Sequence, residues 1–159
     1  MSDAEKLWDL IDDNRTCMMV TDGSGGLHAR PMHAIPAEDR NEIWFYTRLD
    51  SGKSRELDAD GEVCLCFASP KRNEYVSVTG HAQVVVDRAK IREHWSTFVD
   101  AWFPEGPEGG EVGMIRVNVE KGEYWDGESS SILAALKMAV ASQRDETPDV
   151  GENRKVAFR

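Results

Sequence analysis

The chain reads as a mainly β domain with flanking helices, whose antiparallel strands close into a small barrel. Three stretches carry this reading. Short runs of alternating apolar residues recur along the chain, separated by Gly, Asn, Asp and Pro clusters. Tyr75 to Val86 alternates over a length unusual for one strand, with Gly80 in the middle as a bulge or corner, and a long bent strand suits a closed barrel better than a flat sheet. Ile43 to Arg48 is apolar and aromatic, fits a pleated surface, and runs straight into the start of a helix.

In chain order, Ser2 and Glu5 have the spacing of a capping box, and Leu7, Trp8, Leu10 and Ile11 give the helix behind it an apolar stripe that ends at Asn14 and Arg15. Thr16 to Thr21 is a buried strand. Asp22 to Gly26 turns the chain into a second strand, Leu27 to Ile35. The glycines lack the spacing of a nucleotide loop and no helix follows them, so a hairpin is their use. Pro31 cannot donate to a ladder, which puts it at an edge, a bulge or a break in pairing. A break leaves room for a ligand. Beside it, Arg30 can fork onto a phosphate and Met32 can lie along a ring, although an exposed Arg and a core Met are the ordinary uses of those residues.

The stretch Ile43 to Leu57 says most about function. Its strand breaks at Arg48, Leu49 and Asp50 into a helix with Ser51 at the N-cap. First-turn amides and the positive end of the helix dipole point to one spot, to which Ser51 adds a hydroxyl and Lys53 a charge, so a phosphate fits there. Trp44, Phe45 and Tyr46 offer apolar surface and backbone amides to a flat ring attached to that phosphate. Capping and solubility alone also place Ser and Lys at such junctions.

Gly61 closes this helix and Glu62 to Ala68 is a strand on which Cys64 and Cys66 share one face. Too few other ligands accompany them for a zinc site. Asp87 caps a helix with an apolar stripe of Ile91, Trp95, Phe98 and Trp102, and Pro104 stops it. The acidic, Gly- and Pro-rich segment Pro104 to Glu111 reads as a mobile loop at the rim of the site. Val112 to Val119 resumes strand alternation, interrupted by Lys121 and Gly122 before Tyr124 and Trp125. Ile132 to Ala141 is an amphipathic helix, and Asp145 to Lys155 is polar enough to be disordered. Residues 1–142 thus form one domain and 143–159 a polar tail.

Composition narrows the partners. A formal charge of −10 repels a nucleic-acid backbone or an anionic membrane, and no basic patch opposes it. No stretch approaches the ~18 apolar residues that span a bilayer, and the N-terminus lacks a signal peptide's regions, so a cytoplasmic protein is expected. Three cysteines give no disulfide framework. Four histidines, His28, His33, His81 and His94, have no metal-ligand spacing, and no nucleophile elbow or HExxH helix is present. No metal site and no catalytic side chain is assigned. A catalyst of this composition relies on a bound cofactor.

Phe45, Tyr46, Thr47, Ser51, Lys53, Glu56 and Leu57 together resemble the flavin-binding signature of the pyridoxamine 5'-phosphate oxidase-like family, in its general stress protein 26-like branch. The Arg30-Pro31-Met32 element and Tyr124-Trp125-Asp126-Gly127 resemble two further elements of that family. The resemblance spans Thr16 to Gly127 and implies a six-stranded antiparallel split barrel that binds FMN. It implies Arg30, Ser51 and Lys53 at the phosphate, Phe45, Tyr46 and Thr47 beside the ring system, and Met32 and Trp125 as its cover. It also implies a homodimer with each flavin at the subunit interface, Trp125 reaching the neighbour's flavin, and a small-molecule redox partner. The chain departs from the vitamin B6 oxidases in lacking the Lys downstream of Arg30 and any Arg-Leu-His-x-Arg element after Trp125. Oxidation of pyridoxamine phosphate is therefore not expected. Flavin storage or sensing without turnover, a deazaflavin or haem ligand on the same fold, and a ligand-free interaction domain remain the alternatives.

Overall fold

Ser2 opens the first helix, α1 (Asp3–Asp13), through a reciprocal capping box with Glu5, and Leu7, Trp8, Leu10 and Ile11 are buried beneath it. The computed structural model describes residues 1–23, 25–50, 61–127, 131–145, 147 and 151–158, with backbone alone for 131–134. After α1 come β1 (Thr16–Gly23), β2 (Gly26–His33), β3 (Ile35–Pro36), β4 (Glu42–Arg48), β5 (Glu62–Ser69) and β6 (Glu74–Val85). Two short helices follow, α2 (Arg88–Glu93) and α3 (Thr97–Trp102), then β7 (Val112–Gly127), α4 (Ser131–Arg144) and β8 (Gly151–Ala157). All strand pairs are antiparallel, in the order β2-β1-β5-β6-β7-β4-β3, with β8 added to the far half of β7.

The expectation of a mainly β barrel with flanking helices holds, with eight strands among the described residues in place of six. One addition is the two-residue β3. The other is β8, built from the segment read as a disordered tail. Its outward residues are polar, as suits an edge, but Val156 and Phe158 pack on the core and Phe158 meets Trp8 edge-on at 5.8 Å. Backbone pairing and two apolar anchors outweigh a polar composition there.

The barrel interior is filled by Met19, Ile43, Phe45, Leu65, Val78, Ile115 and Val117, and α1 closes one end. A second cluster lies on the outer face of β4 and β7, where Trp44, Val112 and Met114 meet Ile91, Val99 and Phe103. Gly80 marks the corner. The β6–β7 register slips at Thr79/Gly80, and a Cβ at Gly80 would come within 2.0 Å of the Asn118 carbonyl oxygen.

The helix expected from Asp87 to Pro104 is instead two helices. His94 ends α2 and Ser96 caps α3 by accepting from the Val99 amide, which shifts the helical phase. Val99 and Phe103 are consequently buried, while Phe98 and Trp102 of the predicted stripe stand 65% and 61% exposed. The loop expected to be mobile is tied down. Arg88 donates to the carbonyls of Pro107 and Gly109 at 3.0 and 2.9 Å, Arg92 forks onto Glu108, and Arg48 pairs with Glu111.

Candidate functional site: a slot between two strand edges

Ile35 and Pro36 pair with Trp44 and Ile43. Carried back along the chain, that register would set Met32 opposite Thr47 and Arg30 opposite Leu49. It stops at Ala34, whose amide donates to the carbonyl of Arg15 at 2.7 Å, and β2 continues against β1 instead. The two strands stay close. Among the described residues, β4 from Phe45 to Arg48 is paired only on its β7 side, and β2 is paired only on its β1 side. Backbone donors and acceptors therefore line a slot where the barrel is split. Pro31 sits on one of its edges, as an N–H-less residue must, and keeps the two strands from zipping together.

Arg30 and Met32 stand on the core-facing side of β2, opposite Met19 and Cys17 of β1. Arg30 is half-buried and its head is oriented: Nη2 donates to Thr21 Oγ1 at 2.9 Å and lies 2.7 Å from His28 Nδ1. A guanidinium only donates, so in this contact His28 Nδ1 is the acceptor. Met32 packs against the barrel core.

The aromatic wall expected from β4 does not form. Strand alternation puts Phe45 fully inside the barrel and turns Trp44 and Tyr46 to the helices. Tyr46 Oη donates to the carbonyl of Ile91 at 2.6 Å, and its ring meets Trp95 edge-on at 5.8 Å. Burial, with Glu93 nearby, pushes the Tyr46 hydroxyl up to about 12. These rings hold the sheet together. What Phe45, Tyr46 and Thr47 offer a ligand at this edge is backbone, together with the hydroxyl of the buried Thr47, which among the described residues makes a single long 3.4 Å contact, to the Arg48 carbonyl. Ser51 and Lys53, with Glu56 and Leu57, lie outside the described residues.

Trp125 sits on the opposite side of the sheet. A one-residue bulge at Glu120 resets the alternation of β7, so Tyr124 points inward, where its hydroxyl donates to Asp3 at 3.2 Å, and Trp125 points outward at 38% exposure. Burial first, then the Asp3 contact, push the Tyr124 hydroxyl up to about 12. Trp125 is four strands from Arg30 along the sheet path and faces away from it, so one chain does not bring the two together. Its direct neighbours are Tyr75 on β6 and Asn153 on β8. The Tyr75 partnership depends on the register across the Gly80 bulge, which no local pattern reveals. Along the same face runs a groove of about 470 Å³ lined by Ser77, Thr79, Lys121, Gly122, Glu123, Lys155, Val156 and Ala157.

Among the described residues no group of three or more His, Cys, Asp or Glu side chains could hold a metal ion, and no helix is long and apolar enough to cross a membrane. The fold is that of known split barrels. A Jannaschia sp. CCS1 protein assigned as a general stress protein 26 superposes with a TM-score of 0.77 at 28% identity, covering 97% of both chains. The general stress FMN/FAD binding protein of the phytopathogen Xanthomonas citri superposes with a TM-score of 0.72 at 30% identity, over 80% of this chain and 90% of that one. Protein bli-3 of Neurospora crassa is 31% identical over 125 residues, which take in 72% of this chain and 60% of that relative's length. The family model described as pyridoxamine 5'-phosphate oxidase like matches residues 2–149, and the chain belongs to that family, among its split barrels of the general stress protein type.

Proposed function

We propose that the protein binds FMN in the slot between β2 and β4 and works as a flavin-dependent oxidoreductase on a small molecule. The observation that carries this reading is the interrupted register at Ala34, which leaves two facing strand edges unpaired beside an oriented arginine. A flat heterocycle rimmed with hydrogen-bonding atoms fits such edges better than an aliphatic ligand does, since unpaired backbone groups would otherwise have to be met by water. The Xanthomonas citri relative's description as an FMN/FAD binding protein supports the choice of ligand class.

Arg30 would hold the phosphate, with Thr21 and His28 fixing its direction, and Ser51 and Lys53, which follow β4 in sequence, would join it. The backbone of Phe45, Tyr46 and Thr47 would orient the ring, and Met32 would pack against it. When bound, the flavin supplies hydride or electron transfer. The outward position of Trp125, away from Arg30, supports a homodimer, in which its indole, with Tyr75 beside it, would cover the flavin of a second copy.

Native mass measurement and visible absorption of the purified protein test this. The expected result is a dimer carrying one FMN per chain. A colourless protein that takes up no added FMN overturns the reading, and a deazaflavin or haem mass would replace its ligand. Bound FMN that no nicotinamide or other small-molecule donor reduces would leave a flavin store or sensor in place of an enzyme.

A further inference from the structure

The flavin reading leaves two thiols without a use. Cys64 and Cys66 project from one side of β5, away from the core residues Val63, Leu65 and Phe67, with their Sγ atoms 3.7 Å apart. Cys66 is exposed and Cys64 partly so, and the Ser77 hydroxyl of β6 lies 3.6 Å from Cys64 Sγ. Cys17, the remaining thiol, is buried on the core side of β1 and takes no part in the pair.

The geometry disfavours a disulfide. Two residues apart on a strand, the Cα atoms are separated by about 6.6 Å, the upper end of what a disulfide spans, and the sulfurs would have to close to about 2.05 Å. A bridging atom asks for no such movement. With bonds of about 2.3 Å, as in a zinc thiolate, and a near-tetrahedral angle, the two sulfurs sit roughly 3.7 Å apart. We infer that Cys64 and Cys66 form a chelating dithiol that takes a thiophilic centre offering two adjacent bonding positions, with the Ser77 hydroxyl alongside.

The state of the Cys66 thiol agrees. Burial, then the neighbouring Cys64, push the Cys66 thiol up to about 11, so it is protonated at neutral pH and is not a peroxide-reactive thiolate. A monosubstituted trivalent arsenical bridges two thiols without any oxidant. Two S–H bonds and the arsenic–oxygen bond break, two As–S bonds form, and one water leaves with both protons and the oxygen.

The test is titration of the reduced full-length protein with phenylarsine oxide, read by native mass and by the number of remaining thiols. One adduct per chain with two of the three thiols lost is expected, reversed by 2,3-dimercaptopropanol. Cys64→Ser and Cys66→Ser should each weaken uptake about a hundredfold, because the second bond is intramolecular only when both sulfurs are present. Cys17→Ser should change nothing. Uptake by either the Cys64 or the Cys66 variant as tight as by the unaltered protein, uptake that requires Cys17, or uptake by the denatured chain alone would overturn the inference. Serine at exposed Cys66 leaves the core untouched, so that variant keeps the test open should Cys64→Ser fail to fold. The outcome is independent of flavin binding.

Discussion

Tyr75 and Trp125 stand directly opposite each other on β6 and β7, on the side of the sheet turned away from the barrel core. Cross-strand aromatic neighbours on an outer face add only about 0.2–1 kcal/mol to the sheet, and more to whatever covers them. Trp125→Ala is expected to leave the melting temperature nearly unchanged and to weaken FMN binding about tenfold, a loss of roughly 1.4 kcal/mol. Thermal melts and fluorescence titration of the same variant check both halves.

Tyr46 gives the opposite pattern. Its hydroxyl ties β4 to the end of α2 through Ile91, and the ring is enclosed by Trp95 and Phe103. Tyr46→Phe removes the donor and leaves the Ile91 carbonyl unpaired, which should cost about 1–2 kcal/mol in urea denaturation. FMN affinity should not change, because only the backbone of this residue borders the slot.

The partly buried Tyr46 and the buried Tyr124 also set an alkaline limit. Tyr46 and Tyr124 have folded values raised to about 12 from the ordinary 10.0, so the unfolded chain ionises first as pH rises. Their contribution is fully present below pH 10 and is lost as pH climbs from 10 through 12. Denaturation midpoints should fall across that window, and Tyr46→Phe should flatten the fall.

Gly80→Ala probes the barrel corner. The added methyl meets backbone on β7 at 2.0 Å, where no side chain can swing aside. A loss of about 2–3 kcal/mol or more is expected from the resulting strain, read by chemical denaturation.

Much of this architecture is legible in the residues themselves. The capping box at Ser2 and Glu5, the edge position of Pro31 and the corner at Gly80 each follow from a local constraint that tertiary structure has no reason to override. The pairing of Tyr75 with Trp125 and the slot at Ala34 are set by registers between segments far apart in sequence, to which local patterns are blind. The helix from Asp87 to Pro104 misled because its aromatic spacing fits one helix, whereas the cap at Ser96 starts a second in a different phase. In β4 the residue types suggested a ring platform, but alternation sends consecutive side chains to opposite faces, and both faces are covered. The segment Gly151–Ala157 escaped notice because an edge strand draws its stability from backbone pairing more than from apolar content.

The slot itself is tested most directly by titrating the full-length protein and its Arg30→Ala variant with FMN, following the quenching of flavin fluorescence. Saturation at one flavin per chain is predicted, with affinity at least about tenfold weaker in the variant, as the loss of a charge-assisted phosphate contact requires. A flat titration of the wild-type protein, or the same affinity in both proteins, would contradict the account.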